Sequence, residues 1–323
     1  MRSLEELRRK GLLATDAAVS TVVERFGVPG SGDNARVLEA NVGHGFRFEV
    51  LADRGFDIGL AEYRGTPISW RSPVSDARPL SSPAGNDWLG RFTGGLLVTC
   101  GLRVAGAAAG SPLHGDISHR PASHVRSAPP RGRALVELGA DIDDESIFGA
   151  GLRVERSISS GLTPSGQAWI GVDDGVVNTS SLSAEIHILY HLNFGAPVIL
   201  PGTEVTIDAR RTLPRDADST RFSASILPAT VDEVVEAVYL HEQASHVHLR
   251  TPGGHSVAIE WSADTLPYLH QWIFPTRGRW ALGIEPATSP LFKKDDTSET
   301  ERSTLEPGHS RTHRLRVTVG EAS

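Results

Sequence analysis

Residues 268–288 read YLHQWIFPTRGRWALGIEPAT, a β pattern that brings a single acid, Glu285, into an apolar setting at the end of a strand. The flanking Leu282 and Ile284 cannot neutralise a carboxylate. An ionised Glu in such a place loses hydration, so its pKa tends to rise toward the range in which a general base works near neutral pH. Glu285 is therefore the first catalytic candidate. A structural ion pair with a nearby arginine such as Arg279 is the alternative that this segment leaves open.

Short runs of alternating apolar and polar residues continue along the chain, and the 33 Gly and 20 Pro separate them. This alternation has the period of a half-buried strand, and no alternating helices or internal repeats accompany it. The pattern predicts an all-β sandwich or barrel and argues against a doubly wound parallel sheet. The predicted strands are 36–41, 46–51, 58–63, 96–100, 134–138, 152–158, 168–172, 184–191, 204–207, 231–240, 247–250, 257–261, 268–274 and 314–319.

Helix signals are few and lie near the N-terminus. A capping box at residues 3–6 predicts a short helix that ends near Lys10, and residues 16–26 suit either a helix or a strand. We therefore expect an N-terminal helical or extended segment over residues 1–30 and a single β domain over residues 31–323. The composition of residues 72–87 and 293–308 is typical of long surface loops.

The amino-acid composition argues against several classes of function. The 323 residues include 32 Lys and Arg against 39 Asp and Glu, a net charge of −7, with no block of like charge. Nucleic acid binding needs concentrated positive charge, so a small neutral or weakly charged ligand is favoured. The single Cys100 can form neither an internal disulfide nor a thiolate metal site, which fits a reducing cytoplasm. No apolar run is long enough to cross a bilayer, so neither export nor membrane insertion is expected.

Motifs for several familiar chemistries are absent from the sequence. It contains no Gly-rich phosphate loop ending in Gly-Lys-Ser/Thr, no Gly-x-Ser-x-Gly elbow, and no Gly-x-Gly-x-x-Gly after a strand. Nucleotide-dependent and serine-hydrolase functions therefore lose their usual support.

Polar side chains in three other segments are candidates for a site. His114 lies in the sequence LHGD, where Gly115 would let a ligand approach, although a histidine bonded within a turn is the alternative. His191 and Asn193 end an apolar strand in YHLNFG, where the alternative is a hydrogen-bonded core histidine. Arg54 lies in the turn DRGFD and could bind ligand oxygens, or it could form a salt bridge with Asp53 or Asp57.

The blocks ADRGFDIG, GGLLVTCGL, LHGDIS followed by PA, YHLNFGAP, and QW with LGIEPAT occur in this order between about residue 35 and residue 290. In these blocks the chain resembles the aldose 1-epimerase (galactose mutarotase-like) superfamily, specifically its DUF4432 branch. The resemblance implies a large antiparallel β-supersandwich, an isomerase activity that interconverts the anomers of free sugars, and no metal or other cofactor. The implied partner is a small sugar or sugar derivative, and the sequence is compatible with a homo-oligomer.

The resemblance also implies roles for individual residues. Glu285 matches the general base that takes the proton from the anomeric hydroxyl, and His191 matches the general acid that protonates the ring oxygen. His114 and Arg54 match positions that hold sugar hydroxyls and polarise the ring. Asp57 and Asn193, which lie in the same matched blocks, are further candidates for sugar binding. The chain departs from the family pattern at Leu192, which separates His191 from Asn193, and the Asp with which many mutarotases bind hydroxyls has no clear counterpart.

Chemistry that does not depend on the resemblance agrees with the Glu285 and His191 pair. Opening a hemiacetal ring needs a base at one oxygen and an acid at the other, and a carboxylate and an imidazole can exchange these roles. Sugar faces stack on indoles, so Trp272 and Trp280, close to Glu285 in sequence, could form a wall of the site, with core packing as the alternative.

Two other function classes remain open at this stage. His246 and His248 point to one face of a predicted strand and could bind a divalent metal with His241, which would indicate a metal-dependent sugar isomerase. A non-catalytic carbohydrate-binding protein would keep aromatic walls and Arg54 but would not need both a carboxylate base and an imidazole acid.

Overall fold

A computed structural model describes residues 4–26, 35–43, 45–74, 85–107, 113–128, 134–292 and 304–322. The predicted loop at 72–87 lies largely outside these residues, as does most of the predicted loop at 293–308. Within the described residues, none of the helices combines the length and the apolar character that a membrane crossing requires.

The described chain is almost entirely β-structure. One α-helix, α1, spans Leu4–Arg9, and single 3-10 turns span Asp16–Ala18, Gly85–Arg91, Ile117–His119 and Ser219–Arg221. The strands are β1 Ser20–Phe26, β2 Arg36–Val42, β3 Phe46–Leu51, β4 Asp57–Tyr63, β5 Thr66–Pro67, β6 Leu97–Cys100, β7 Ser123–Ser127, β8 Ala134–Asp144, β9 Leu152–Leu162, β10 Ala168–Asn178, β11 Ala184–Glu185, β12 Leu189–Phe194, β13 Glu204–Ile207, β14 Arg211–Pro214, β15 Ala237–Glu242, β16 His246–Arg250, β17 His255–Trp261, β18 Tyr268–Phe274, β19 Ala281–Ala287, β20 Thr304–Leu305 and β21 Ser310–Glu321.

Two large antiparallel sheets pack face to face. In the described residues the larger sheet has the order β1-β2-β3-β4-β6-β12-β19-β18-β15-β14, with β5 paired to β4. The second sheet has the order β13-β16-β17-β21-β10-β9-β8-β7, and β11 pairs with β20 separately. Alternate residues of both sheets form one continuous apolar core between them. The predicted all-β fold is confirmed, and the arrangement is an antiparallel β-supersandwich.

The predicted strand boundaries agree best with the observed ones in strands that have one buried face and one more exposed face. Strands β13 and β18 begin and end at the predicted residues, and β2 and β3 extend the predictions by at most one residue. Two unpredicted strands, β7 and β14, lie at sheet edges, where exposure allows polar sequences that carry little hydrophobic periodicity. The predicted strand 231–240 begins only at Ala237.

The N-terminal region joins the sandwich. The predicted short helix is confirmed as α1, and residues 16–26 form a 3-10 turn followed by β1 rather than a helix. Strand β1 pairs with β2 along its full length, so residues 20–26 form the edge of the larger sheet.

Strands β12 and β19 lie side by side in the middle of the larger sheet, and every residue in them is buried. One face contributes Tyr190, Leu192 and Ile284 to the core between the sheets. The opposite face contributes Leu189 and Ala287 to a second apolar cluster that contains Trp88 and Cys100. Because segments outside the sheet cover this second face, polar residues that point from it are enclosed as well.

Candidate active site

The pairing of β12 with β19 places His191 next to Glu285. The register sets Leu192 opposite Ile284, so the residues that precede and follow them project together from the other face of the sheet. His191 Nε2 lies 3.2 Å from Glu285 Oε1, and both side chains are almost fully buried. The two residues predicted as base and acid therefore contact each other on the face of the larger sheet that points away from the core between the sheets.

Gly283 leaves the space that this pair occupies. It lies between β12 and β18, opposite Asn193 on one side and Trp272 on the other. A Cβ at Gly283 would lie 2.6 Å from Glu285 Oε1, 3.1 Å from His191 Cε1 and 3.1 Å from the Trp272 Cβ. Any larger residue would displace the Glu285 carboxylate, so Gly283 belongs to the site, although the sequence analysis did not identify it.

Burial controls the protonation of Glu285. Desolvation, with a smaller contribution from the negative charge of Glu236, raises the pKa of its carboxyl to about 8. Within the described residues, Oε1 lies 3.2 Å from His191 Nε2 but has no hydrogen-bond partner. A buried oxygen of this kind is suited to accept a hydrogen bond from a ligand hydroxyl.

His191 is held neutral by the same enclosure. Burial lowers the pKa of its imidazole to about 3, the nearby His114 contributes in the same direction, and the Asn193 side chain acts weakly against both. The 3.2 Å distance to Glu285 would permit an ion pair. Since burial disfavours both charges, the contact in the unliganded protein at neutral pH joins a neutral carboxyl to a neutral imidazole. The pair then carries a single titratable proton, and that proton resides on the Glu285 carboxyl.

His114 lies beside the pair with one ring nitrogen directed to the backbone. The Gly106 N–H donates a hydrogen bond of 3.2 Å to His114 Nδ1, which assigns the proton of the neutral ring to Nε2. Its ring centroid is 6.4 Å from that of His191, and burial lowers the pKa of His114 to about 4. His114 is thus a neutral hydrogen-bond donor at the site.

Aromatic rings enclose His191. Trp272 meets it edge-on with centroids 5.5 Å apart, and Phe92 lies 5.2 Å from it. Trp88 stacks on Phe92 at 4.6 Å and contacts the ring of His114 at the same distance. Trp272 was predicted to form a wall of the site, whereas Trp88 and Phe92 were not predicted. Their only signal in the sequence is that aromatic residues directly follow a Ser- and Pro-rich stretch.

Arg54 contacts the segment that carries Phe92. Its Nη1 donates a hydrogen bond of 3.1 Å to the carbonyl oxygen of Arg91, the residue before Phe92. Burial lowers the pKa of His119 to about 4, and the charge of Arg54 acts in the same direction. Binding of ligand oxygens by Arg54 stays a prediction.

Asp57 and Asn193 both make hydrogen bonds within the protein. The Asp57 carboxylate accepts hydrogen bonds from Arg156 Nη1 at 2.6 Å and from the Thr99 N–H at 2.8 Å, within the core. Asn193 is fully buried, and its Nδ2 donates to the carbonyl oxygen of His191 at 2.8 Å. Contact of either side chain with a sugar stays a prediction.

Trp280 packs at the edge of the main core, and its Nε1 donates to the carbonyl oxygen of Pro228 at 3.1 Å. The structural alternative considered for this residue, core packing, therefore describes its position. Only Trp272 of the two predicted indoles contacts the His191 ring among the described residues.

The histidines of the metal-site alternative do not converge. Both ring nitrogens of the buried His241 are engaged, with Thr212 Oγ1 at 2.9 Å and Gln271 Oε1 at 3.0 Å. His246 and His248 lie on the second sheet and contact Asp208 and Ser256, respectively. Across the described ranges, no group of three or more His, Cys, Asp or Glu side chains is arranged to hold a metal ion.

Comparisons with known proteins agree with this architecture. The chain has 20% identity and a TM-score of 0.83 to a putative aldose 1-epimerase from Klebsiella pneumoniae subsp. pneumoniae MGH 78578, over 94% of this chain and 84% of that one. A galactose mutarotase-like protein from Clostridium acetobutylicum has 16% identity and a TM-score of 0.63, over 94% and 99% of the two chains. The galactose 1-epimerase from Lactobacillus acidophilus NCFM has 12% identity and a TM-score of 0.60, over the same shares.

At these identities the structural neighbours show a shared fold. A comparison with curated proteins gave no match. A family model described as a domain of unknown function, DUF4432, matches residues 32–319, nearly the whole chain. The chain therefore belongs to the DUF4432 family and has the fold of the galactose mutarotase-like proteins.

Proposed function

We propose that the protein is a mutarotase that interconverts the anomers of a free sugar without a cofactor. The observation that carries this proposal is the contact between His191 and Glu285, which are buried, 3.2 Å apart and flanked by aromatic rings. Structural neighbours described as a putative aldose 1-epimerase and a galactose 1-epimerase support the same reaction class.

Ring opening of a cyclic hemiacetal needs two proton transfers. A base removes the proton of the anomeric hydroxyl, the bond between the anomeric carbon and the ring oxygen breaks, and an acid protonates that oxygen. The open-chain carbonyl then rotates, and the reverse transfers close the ring on the opposite face. No atom is gained or lost, so one base and one acid complete the cycle.

The pair of Glu285 and His191 supplies these two functions with a single shared proton. With the proton on the imidazole, Glu285 is the base and His191 the acid, the assignment that the family resemblance also implies. Across a separation of 3.2 Å, proton transfer from the Glu285 carboxyl to His191 Nε2 would produce this state from the neutral pair. A sugar hydroxyl bonded to the unpartnered Glu285 Oε1 would stabilise the carboxylate.

The side chains that surround Glu285 and His191 favour an uncharged sugar. The face of Trp272 or Phe92 could stack against the apolar face of a pyranose or furanose ring. His114, whose Nε2 carries the proton, can donate to a sugar oxygen. These contacts recognise hydroxyl-bearing rings in general, so the proposal covers aldoses and ketoses alike.

The test is anomer exchange measured by one-dimensional saturation-transfer NMR on a panel of free aldoses and ketoses. We expect the wild-type protein to accelerate exchange of at least one sugar above the spontaneous rate. Glu285→Gln should lower this rate by roughly a hundredfold to ten-thousandfold, because Gln keeps the volume of Glu but cannot accept the hydroxyl proton. Sugar binding, followed by line broadening of the same signals, should persist.

A matched control is Glu260→Gln, which changes an exposed Glu on β17 of the second sheet and should leave exchange unchanged. Retention of the wild-type exchange rate by Glu285→Gln would contradict the mechanism. Binding of a sugar without any acceleration by the wild-type protein would indicate a carbohydrate-binding protein instead.

A further inference from the structure

Glu236 lies immediately before β15 and makes two directed contacts. Its Oε2 accepts a hydrogen bond of 2.8 Å from Trp272 Nε1, and its Oε1 accepts one of 2.8 Å from Arg215 Nη1. Both members of the Glu236 and Arg215 pair are substantially exposed, so the ion pair contributes little to stability by itself. The ion pair matters because it holds Glu236 where the carboxylate accepts the hydrogen bond from Trp272 Nε1.

The contact with Glu236 fixes an indole that touches the candidate acid–base pair. Trp272 stacks on Phe274 at 5.3 Å on one side and meets the His191 ring edge-on at 5.5 Å on the other. An indole has a single polar atom, its N–H, so the bond from that atom to Glu236 selects one orientation of the ring. Without this bond, the indole could rotate within the space between Trp70 and Phe274 and alter the wall against His191.

We propose that Glu236 is a positioning residue for the acid–base pair: held by Arg215, it fixes the Trp272 indole against His191. The part of this proposal that concerns catalysis rests on the proposed mutarotase function. Its structural part concerns the orientation of Trp272 and holds without any sugar.

The charge of Glu236 has a separate effect that supports the proposal. It raises the pKa of Glu285 and opposes the lowering of the pKa of His114. The other titratable groups near Glu285 are His191 on β12, His270 opposite it on β18, and Cys100 on β6. Burial and the charge of Glu285 raise the pKa of the Cys100 thiol, which is therefore neutral. Burial keeps both imidazoles neutral near pH 7, since it lowers the pKa of each to about 3. Glu236 is therefore the charged side chain that acts on Glu285 among these groups.

Two substitutions separate the hydrogen bond from the charge. Glu236→Ala removes both, whereas Glu236→Gln keeps an amide oxygen that can accept from the Trp272 N–H but removes the negative charge. Glu233→Ala is the matched control, because Glu233 forms a similarly exposed ion pair with Arg221 in the same segment and its charge is not among those that shift the pKa of Glu285.

The first readout is the indole N–H spectrum of the ¹⁵N-labelled, sugar-free protein, in which Trp272→Phe identifies one of the six Trp signals. In Glu236→Ala we expect the Trp272 signal to move and its exchange with solvent to accelerate roughly tenfold, as expected for loss of one hydrogen bond. In Glu236→Gln the signal should stay near its wild-type position. Glu233→Ala should not change it.

The second readout is anomer exchange as a function of pH. We expect kcat of Glu236→Ala to fall by roughly tenfold, a partial recovery in Glu236→Gln, and in both variants a shift of the alkaline limb to lower pH. A Trp272 signal that is unchanged in Glu236→Ala, or pH profiles that coincide with that of Glu233→Ala, would overturn the proposal. If the wild-type protein anomerises no sugar, the proposed function fails, and the Trp272 signal alone decides whether Glu236 positions the indole.

Discussion

At the scale of single residues, the chemistry of the site depends on where one proton resides. Glu285 and His191 are both buried, and burial raises the pKa of the carboxyl to about 8 while it lowers that of the imidazole to about 3. Between these values the pair holds one proton. Because a general acid and a general base must act together, this singly protonated pair is the form that can open and close a sugar ring.

The pH dependence of anomer exchange follows from this proton count. We expect the rate to be level from about pH 5 to 7 and to fall as pH rises through about 8, because Glu285 then loses the proton that the pair needs to protonate the ring oxygen. The rate falls rather than rises with pH because the raised pKa keeps the Glu285 carboxyl protonated up to about pH 8. Saturation-transfer NMR between pH 5 and 9.5, corrected for the spontaneous rate, checks this expectation. A rate that instead increases through pH 8 would show that an ionised Glu285 alone limits the reaction.

At the scale of elements, the site is produced by three neighbouring strands with fixed register. Strand β19 is paired on both sides, with β12 and with β18, and Gly283 lies between Asn193 and Trp272. A one-residue slip of β12 or β19 would turn His191 or Glu285 toward the core, and a slip of β18 would do the same to Trp272. The missing side chain of Gly283 is what allows the carboxylate, the imidazole and the indole to occupy one face together.

Gly283→Ala tests this packing. The added methyl group would lie 2.6 Å from Glu285 Oε1, at the far end of a side chain that can move, so the carboxylate should yield while the fold persists. We expect anomer exchange to fall by roughly a hundredfold, as for a reacting group misplaced by about 1 Å. The free energy of unfolding, measured in urea, should fall by only about 1–3 kcal/mol.

The matched control for Gly283→Ala is Gly175→Ala on β10, where a Cβ would have 3.9 Å to its nearest neighbour, Glu155. This variant should retain full exchange activity. Equal activities of the two alanine variants would show that the space at Gly283 is not required for catalysis.

At the scale of the whole molecule, a buried ionic cluster joins the two sheets beneath the site. Arg156, on β9 of the second sheet, donates to Asp174 on β10 and to Asp57 on β4 of the larger sheet, both at 2.6 Å. The Tyr190 hydroxyl donates to Asp174 Oδ2 at 2.8 Å. Since Tyr190 directly precedes His191, the cluster fixes strand β12 from the core side. The contact between His191 and Glu285 lies on the opposite face of the same sheet.

Removal of the cation from this cluster should destabilise the protein strongly. We expect Arg156→Met to lower the free energy of unfolding by about 3–5 kcal/mol, because it leaves two buried carboxylates without their counter-ion. Adding Asp57→Asn and Asp174→Asn to that variant should recover part of the loss. Urea unfolding checks both expectations.

Arg314→Met is the corresponding surface control, since the Arg314 and Asp173 pair is largely exposed and should contribute less than about 1 kcal/mol. A similar small loss in Arg156→Met would show that the cluster does not hold the sheets together.

The sequence by itself determined the features that depend on local pattern. Alternation with a period of two indicated the all-β class, because a strand with one buried face alternates apolar and polar residues. The apolar neighbours of Glu285 predicted its raised pKa, since desolvation acts through adjacent groups. The family resemblance, together with their setting at strand ends and turns, singled out His191 and His114 before their distances were known.

Only the tertiary structure decided which distant residues meet. Trp88, Phe92 and Glu236 reach the site through loops and strand neighbours that no local pattern encodes. Asp57 was a candidate for sugar binding because it lies in a block that matches the family, and its hydrogen-bond partner Arg156 is 99 residues away in sequence. Pairing across sheets fixes such contacts, and the register that sets them is a property of the assembled sandwich rather than of any one segment.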